Sequence, residues 1–495
     1  MTRGSQAHWR ARAVATVVAG VCCALLWGAD ALAVTPKGAF ATLRPLPRPL
    51  MLTAWGLLPD GRVLVAGGFS GGAGTRSAVL FDPRSRRWLA TGSLAVGRFA
   101  HTLTVLPGGD ALVCGGASLS ARDPGYLASC ERWLRESGTF APAPALPSPR
   151  ANHAAVFVPR ADGGSAAVVV TGGLGRGSAG LGEVDLLPLG DDGRALAGWR
   201  PLAALENGRY HHTATVLRDG RVLVVGGERS DRPIPLFATE IVDPVRATST
   251  VSDPLIEPRV NHFAVALADG RVLVGGGGTF ASGFRRSVEI YDPRSQRWRR
   301  AAPMHAARGF AQATLLADGR VLVVGGFGND GDLAEAEIYD PRRNRWALVG
   351  ERPRPRARGI AVTLADGRVL LAGGQLANGR VLRDAELFDP RATARLADLR
   401  LPARVRAGAA LAVRYWSGAR GPTTIALVRV RKTRGRCPRL TGACEYRRTA
   451  TRRKLQDKVG WRRLRLATRT LPAGRYEIVV RHAGRELRGR FAVVR

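Results

Sequence analysis

A Gly-Gly pair preceded by a short aliphatic run recurs seven times along this chain. The pairs are Gly67-Gly68, Gly115-Gly116, Gly172-Gly173, Gly226-Gly227, Gly276-Gly277, Gly325-Gly326 and Gly373-Gly374. Successive pairs lie 48, 57, 54, 50, 49 and 48 residues apart. A period near 50 denotes one supersecondary unit copied repeatedly, each copy burying its apolar face against the next.

The copy spanning Arg259 to Pro303 shows the unit most clearly. Phe263-Ala-Val-Ala-Leu267 is followed by Asp269-Gly270-Arg271, Val272-Leu273-Val274 and the glycines, and then by Ser287 to Tyr291, Asp292-Pro293 and Trp298. Asp-Gly between two β-prone runs predicts a tight hairpin, because both turn positions need positive φ. Asp219-Gly220, Asp318-Gly319 and Asp366-Gly367 repeat it. The second run does not alternate, as expected for a strand covered on both faces. Asp-Pro marks a second turn, also at Asp82, Asp243, Asp340 and Asp389, since proline cannot continue a central strand. Four short antiparallel strands per unit are the blade of a β-propeller. The expected class is therefore all-β, with seven blades.

The Gly-Gly pair, the aromatic before Asp-Pro, and the Trp five residues after that proline (Trp88, Trp298, Trp346) resemble the kelch repeat. The Asp-Gly-Arg-Val-Leu-Val-x-Gly-Gly wording is most similar to the galactose-oxidase-like branch of secreted kelch propellers. The resemblance covers about residues 38 to 398, within a propeller domain read as 34–398. Unit three departs from it by lacking Asp-Pro, and unit four has Ser249 in place of the Trp. Unit seven has Arg395 at that place. The segment Gly38 to Pro47 echoes Gly138 to Pro147, the outer strand of unit two. Residues 38–47 are therefore expected to supply the fourth strand of the last blade, closing the ring and removing its open edges.

Residues 1–33 read as a secretory signal peptide: Arg3, Arg10 and Arg12, an apolar run from Ala13 to Trp27, and a small-residue site at Ala31-Leu-Ala33. That predicts export to the periplasm, cell envelope or medium, with no transmembrane segment. Cys114 with Cys130, and Cys437 with Cys444, are two local pairs suited to disulfides in an oxidising compartment. Residues 401–495 contain five alternating, β-prone runs and read as a small immunoglobulin-like β-sandwich, which the galactose-oxidase resemblance also implies. This segment holds 26 Lys or Arg against 4 Asp or Glu, a large part of the chain's formal +36. Such a surface should attract an anionic glycan or another envelope polyanion, unless it reflects the arginine-rich habit of the whole chain. No motif points to specific nucleic-acid recognition. The sequence does not state the oligomeric state.

Two constellations bear on chemistry. The resemblance implies a mononuclear copper radical site: a Tyr cross-linked to a Cys, a Tyr-His pair at a blade start and a His from the C-terminal domain. Tyr210 and His211, in Arg209-Tyr-His-His212, are the copper candidates. They match imperfectly. The family's Tyr-His pair ends three residues after the Arg, which here falls on His211-His212. No Tyr stands at the matching place in another unit, and the one C-terminal histidine, His482, lacks the family's Thr-His setting.

The other constellation is an Arg with a His three residues later: Arg98 and His101, Arg150 and His153, Arg209 and His212, Arg259 and His262. At a channel mouth these would form a binding ring for an anionic ligand. Alternatively they tie blades together, with Glu240, Glu289, Glu337 and Glu386 as recurrent partners, and that structural reading is favoured. A nucleophile-elbow match at Gly68–Gly72, a dinucleotide-loop match at Gly175–Gly180 and an acidic loop at Asn329–Asp332 all lack the necessary structural context. The expected role is binding of an envelope glycan or a protein partner through the loops 69–76, 174–182 and 228–236, with no catalytic site and no cofactor. Copper-dependent oxidation of alcohols or aldehydes is the alternative.

Overall fold

The computed structural model describes residues 37–119, 124–159, 166–177, 180–231, 234–349 and 353–393, together with strands between 397 and 494. The expected leader, residues 1–33, lies outside the described residues, as does the pairing of Cys437 with Cys444.

Seven four-stranded antiparallel sheets follow one another along the chain. Blade one comprises Ala54–Leu57, Val63–Ala66, Ala78–Asp82 and Arg87–Ala90, in spatial order from first to last. Blades two to six repeat this order, with first strands at Thr102–Val105, Ala154–Val158, Thr213–Val216, Phe263–Ala266 and Gln312–Leu315. Blade seven draws three strands from Ile360–Thr363, Val369–Ala372 and Ala385–Thr393, and its outer strand is Lys37–Thr42. Phe40 pairs with Phe388 there, at a ring distance of 4.8 Å. Trp88 with Phe81, Trp298 with Tyr291 and Trp346 with Tyr339 hold the same place in blades one, five and six.

Second strands are buried throughout, which explains their unbroken aliphatic wording. The core is a series of seams rather than one centre. Val63 and Val65 of blade one pack with Ile360, Val362, Leu370 and Leu387 of blade seven, so the ring closes through apolar contact as well as strand pairing. Tryptophans add polar stitches: Nε1 of Trp88, Trp199, Trp298 and Trp346 donates to the carbonyls of Arg44, Pro144, Asp253 and Ala302, each just past the preceding blade's outer strand. Cys114 and Cys130 stand opposite one another on adjacent strands of blade two and form a disulfide. Where Asp-Pro is missing, blade three keeps only a two-residue outer strand, Arg200–Pro201.

The C-terminal strands form two sheets. One joins Ala397–Arg400, Ala410–Ser417 and Gly460–Ala467; the other orders Arg404–Arg406, Arg485–Val494, Gly474–His482, Gly421–Thr433 and Cys444–Asp457. Tyr476, Ile478, Val480 and Val493 are buried. No helix among the described residues is long and apolar enough to cross a membrane.

Candidate functional site

First strands run toward the Asp-Gly turns and second strands return to the glycine doublets. The doublets, the loops after them and the connections between blades therefore share one face. The Arg beginning each of blades two to seven lies on that side: Arg98, Arg150, Arg209, Arg259, Arg308 and Arg356, all essentially fully buried.

Each guanidinium is held within its own blade. Arg259 donates from Nη1 to the carbonyls of Gly276 (2.8 Å) and Ser287 (3.0 Å), and pairs through Nη2 with Glu289 at 2.7 Å. Glu131, Asp185, Glu240, Glu337 and Glu386 play the carboxylate's part for the other five. The carboxylate also accepts amides from the connection entering its blade, as Glu289 does from Ile256 and Glu257. Burial pushes the pKa values of Arg98, Arg150, Arg209, Arg259 and Arg308 down without removing their charge, and the paired carboxylates oppose the shift. Charges held this way are structural. Arg98, Arg150, Arg209 and Arg259 present no charge to a ligand.

The histidines of the expected ring bridge blades. Nε2 of His153, His212 and His262 bonds a threonine hydroxyl of the preceding blade (Thr102, Thr171, Thr213), and His101 Nε2 donates to Ala66 O at 3.0 Å. Burial, reinforced by the nearby guanidiniums, pushes His101, His153 and His262 down to about 3, so they are neutral at ordinary pH.

The channel mouth is instead formed by the residue two places past each arginine, a register the sequence reading did not single out. These residues are Ala100, Asn152, His211, Asn261, Phe310 and Arg358, with Leu52 at the same place in blade one; all seven have φ between 51° and 56° and are partly exposed. Their backbones are linked around the axis: the amides of Ala100, Asn152, His211, Phe310 and Arg358 donate to the carbonyls of Leu52, Ala100, Asn152, Asn261 and Phe310. Regular spacing from the Arg was the available signal, masked by the variety of side chains.

Tyr210 and His211 do come together, with ring centroids 4.9 Å apart. His211 Nδ1 lies 3.0 Å from Glu228, and burial with the Glu228 charge raises the Tyr210 hydroxyl to about 12. Tyr126, on the hairpin after blade two's doublet, adds to that rise. The set does not suit a copper radical centre. None of the seven mouth positions is a tyrosine, Tyr210 and His211 are both engaged by Glu228, and Cys114 and Cys130 are consumed in their disulfide. The side chain of His482 lies outside the described ones.

The loops on this face expose apolar groups. Leu119, Ile234, Phe237 and Phe280 all follow a doublet, and Phe280 is 66 % exposed. Of the expected loops, 228–236 carries Ile234, while the Phe280 hairpin (278–284) was not anticipated. Its signal was the two phenylalanines in Gly278-Thr-Phe280-Ala-Ser-Gly-Phe284.

Fold and doublet register define a seven-bladed β-propeller. Residues 211–394 match the family model described as the KLHDC2/KLHL20/DRC7 Kelch-repeats domain. The chain is also similar to a solved structure described as "Novel fungal alcohol oxidase with catalytic diversity among the AA5 family, in complex with copper". That likeness has a TM-score of 0.55 at 17 % identity, covers 93 % of this chain and 100 % of the other, and concerns the fold alone. No curated protein matches the chain.

Proposed function

We propose that this protein is an exported binding scaffold that recognises an envelope glycan or a protein partner through the doublet face. One observation carries the reading. The recurrent charged groups of that face are locked inside the ring, while its loops turn apolar side chains to solvent. Exposed apolar side chains carried on the loops of a rigid frame are suited to recognition. The basic 401–495 segment, read as an immunoglobulin-like sandwich, would add attraction to acidic polysaccharide or lipopolysaccharide phosphate.

The test is retention of the protein on immobilised envelope polysaccharides and envelope-protein extracts, comparing the parent with an Ile234→Ser, Phe237→Ser, Phe280→Ser variant. Loss of retention with unchanged thermal stability supports the reading. Equal retention overturns it.

Copper-dependent alcohol oxidation is the second reading. It is supported by the similar structure's printed activity, while the engagement of Tyr210 and His211 by Glu228 counts against it. Stoichiometric copper together with peroxide release from alcohols would establish it in place of the first.

A further inference from the structure

Six of the seven mouth-side blade starts place their arginine inside the sheet with a carboxylate. Arg358 is different. It stands at the channel mouth rather than inside a blade, only partly exposed, and its guanidinium makes no hydrogen bond or ion pair with any described residue. Its one specific contact is the face of Phe310, 4.1 Å from the ring centre. Arginine does not shed its charge when buried, so a half-covered guanidinium without an anion is an uncompensated cost. The cation–π contact offsets only part of it.

The surroundings describe what would complete the site. Phe310 leads outward to Phe327 at 5.7 Å, and Phe327 to Phe280 at 5.3 Å. Phe284 supports the strip from beneath, 5.2 Å from Phe280. Phe327 is itself buried, so the rings accessible near the cation are Phe310 and the exposed Phe280, with Phe327 packed between them. No acidic residue shifts Arg358, whose only resolved influence is burial.

We propose that Arg358 is the anchor of a binding site for an amphipathic carboxylate. The carboxylate would sit in a two-pronged hydrogen bond on the guanidinium, with its apolar body along Phe310 and Phe280. The inference rests on the binding reading above and names a ligand chemistry for it. It is independent of the basic C-terminal segment, because one fixed cation selects a single terminal anion rather than a polyanion.

The experiment uses three probes on the full protein by calorimetry: 4-phenylbutyrate, its uncharged amide, and acetate. 4-Phenylbutyrate should bind at least about tenfold more tightly than either the amide or acetate, since one ligand lacks the charge and the other the apolar body. Arg358→Met should weaken 4-phenylbutyrate about tenfold or more and erase its advantage over the amide. Phe280→Ala should weaken it several-fold and leave acetate unchanged. The comparison of probes on the parent protein stands even if a variant folds poorly. Equal binding of acid and amide, no binding of 4-phenylbutyrate at millimolar concentration, or an unaffected Arg358→Met variant overturns the proposal. Such a failure is separable from failure of the scaffold reading, because polysaccharide and protein retention is measured without these probes.

Discussion

The amide of Gly227 donates to the carbonyl of Arg259, 2.8 Å away in the next blade. The same bond recurs from Gly68, Gly116, Gly173, Gly277, Gly326 and Gly374 to Arg98, Arg150, Arg209, Arg308, Arg356 and Leu50. It explains the doublet. At the first glycine of a pair, a Cβ would collide with the same carbonyl; at the second, Gly227, it would strike the Tyr210 carbonyl and His212 Cβ of its own blade. Arg259 therefore joins two blades, its carbonyl serving blade four and its side chain serving blade five.

Gly226→Ala tests this clamp. Its φ is +60° and a Cβ would lie 2.5 Å from the Arg259 carbonyl. Urea unfolding should show a loss of about 2–4 kcal/mol. Gly177→Ala has a similar φ of +66° with open space around it and should lose only about 1 kcal/mol.

Removing one member of a buried ion pair leaves the other stranded. Glu289→Ala should lower stability by about 3–5 kcal/mol, because Arg259 keeps its charge and two amides lose their acceptor. Arg259→Met combined with Glu289→Leu should cost less than the sum of the two singles, read by the same denaturation.

The inter-blade imidazoles should make the protein acid-sensitive. His101, His153 and His262 titrate near 3 when folded, against about 6.5 in an unfolded chain, so the unfolded state takes up protons first. Their contribution is fully present above pH 6.5 and is lost as pH falls toward 3, by up to about 2 kcal/mol per imidazole at pH 5. His262→Gln should flatten the dependence of unfolding free energy on pH between 7 and 5. An unchanged slope would contradict the assignment.

Cys114 and Cys130, 16 residues apart, cross-link adjacent strands. Replacing both with Ser should reduce stability by about 3 kcal/mol on a loop-entropy argument. Both residues are buried, so added reductant should act slowly on the folded protein and quickly under unfolding conditions.

For the basic segment, replacing Arg447, Arg448, Arg452, Arg453 and Lys454 with Gln should lower the salt concentration that elutes the protein from heparin. Unchanged elution would assign this charge to composition alone.

The features legible in the order of amino acids are local and periodic. The Asp-Gly turns, the aliphatic second strands, the Asp-Pro turns and the doublets depend on backbone angles and period, and each can be read within one copy of the unit. The likeness between Gly38–Pro47 and Gly138–Pro147 likewise marks an outer-strand sequence, which the structure seats beside Ala385–Thr393. Glu240 and Glu289 were visible as recurrent partners, but Asp185 and Glu131 were hidden by the irregular wording of blades two and three. Which arginine keeps its charge available depends instead on long-range packing. Arg356 and Arg358 are two residues apart and chemically identical. One enters the sheet to meet Glu386, while the other turns onto Phe310 from the neighbouring blade. That difference arises where seven blade starts converge on one axis, bringing together residues about 50 positions apart that no local pattern relates.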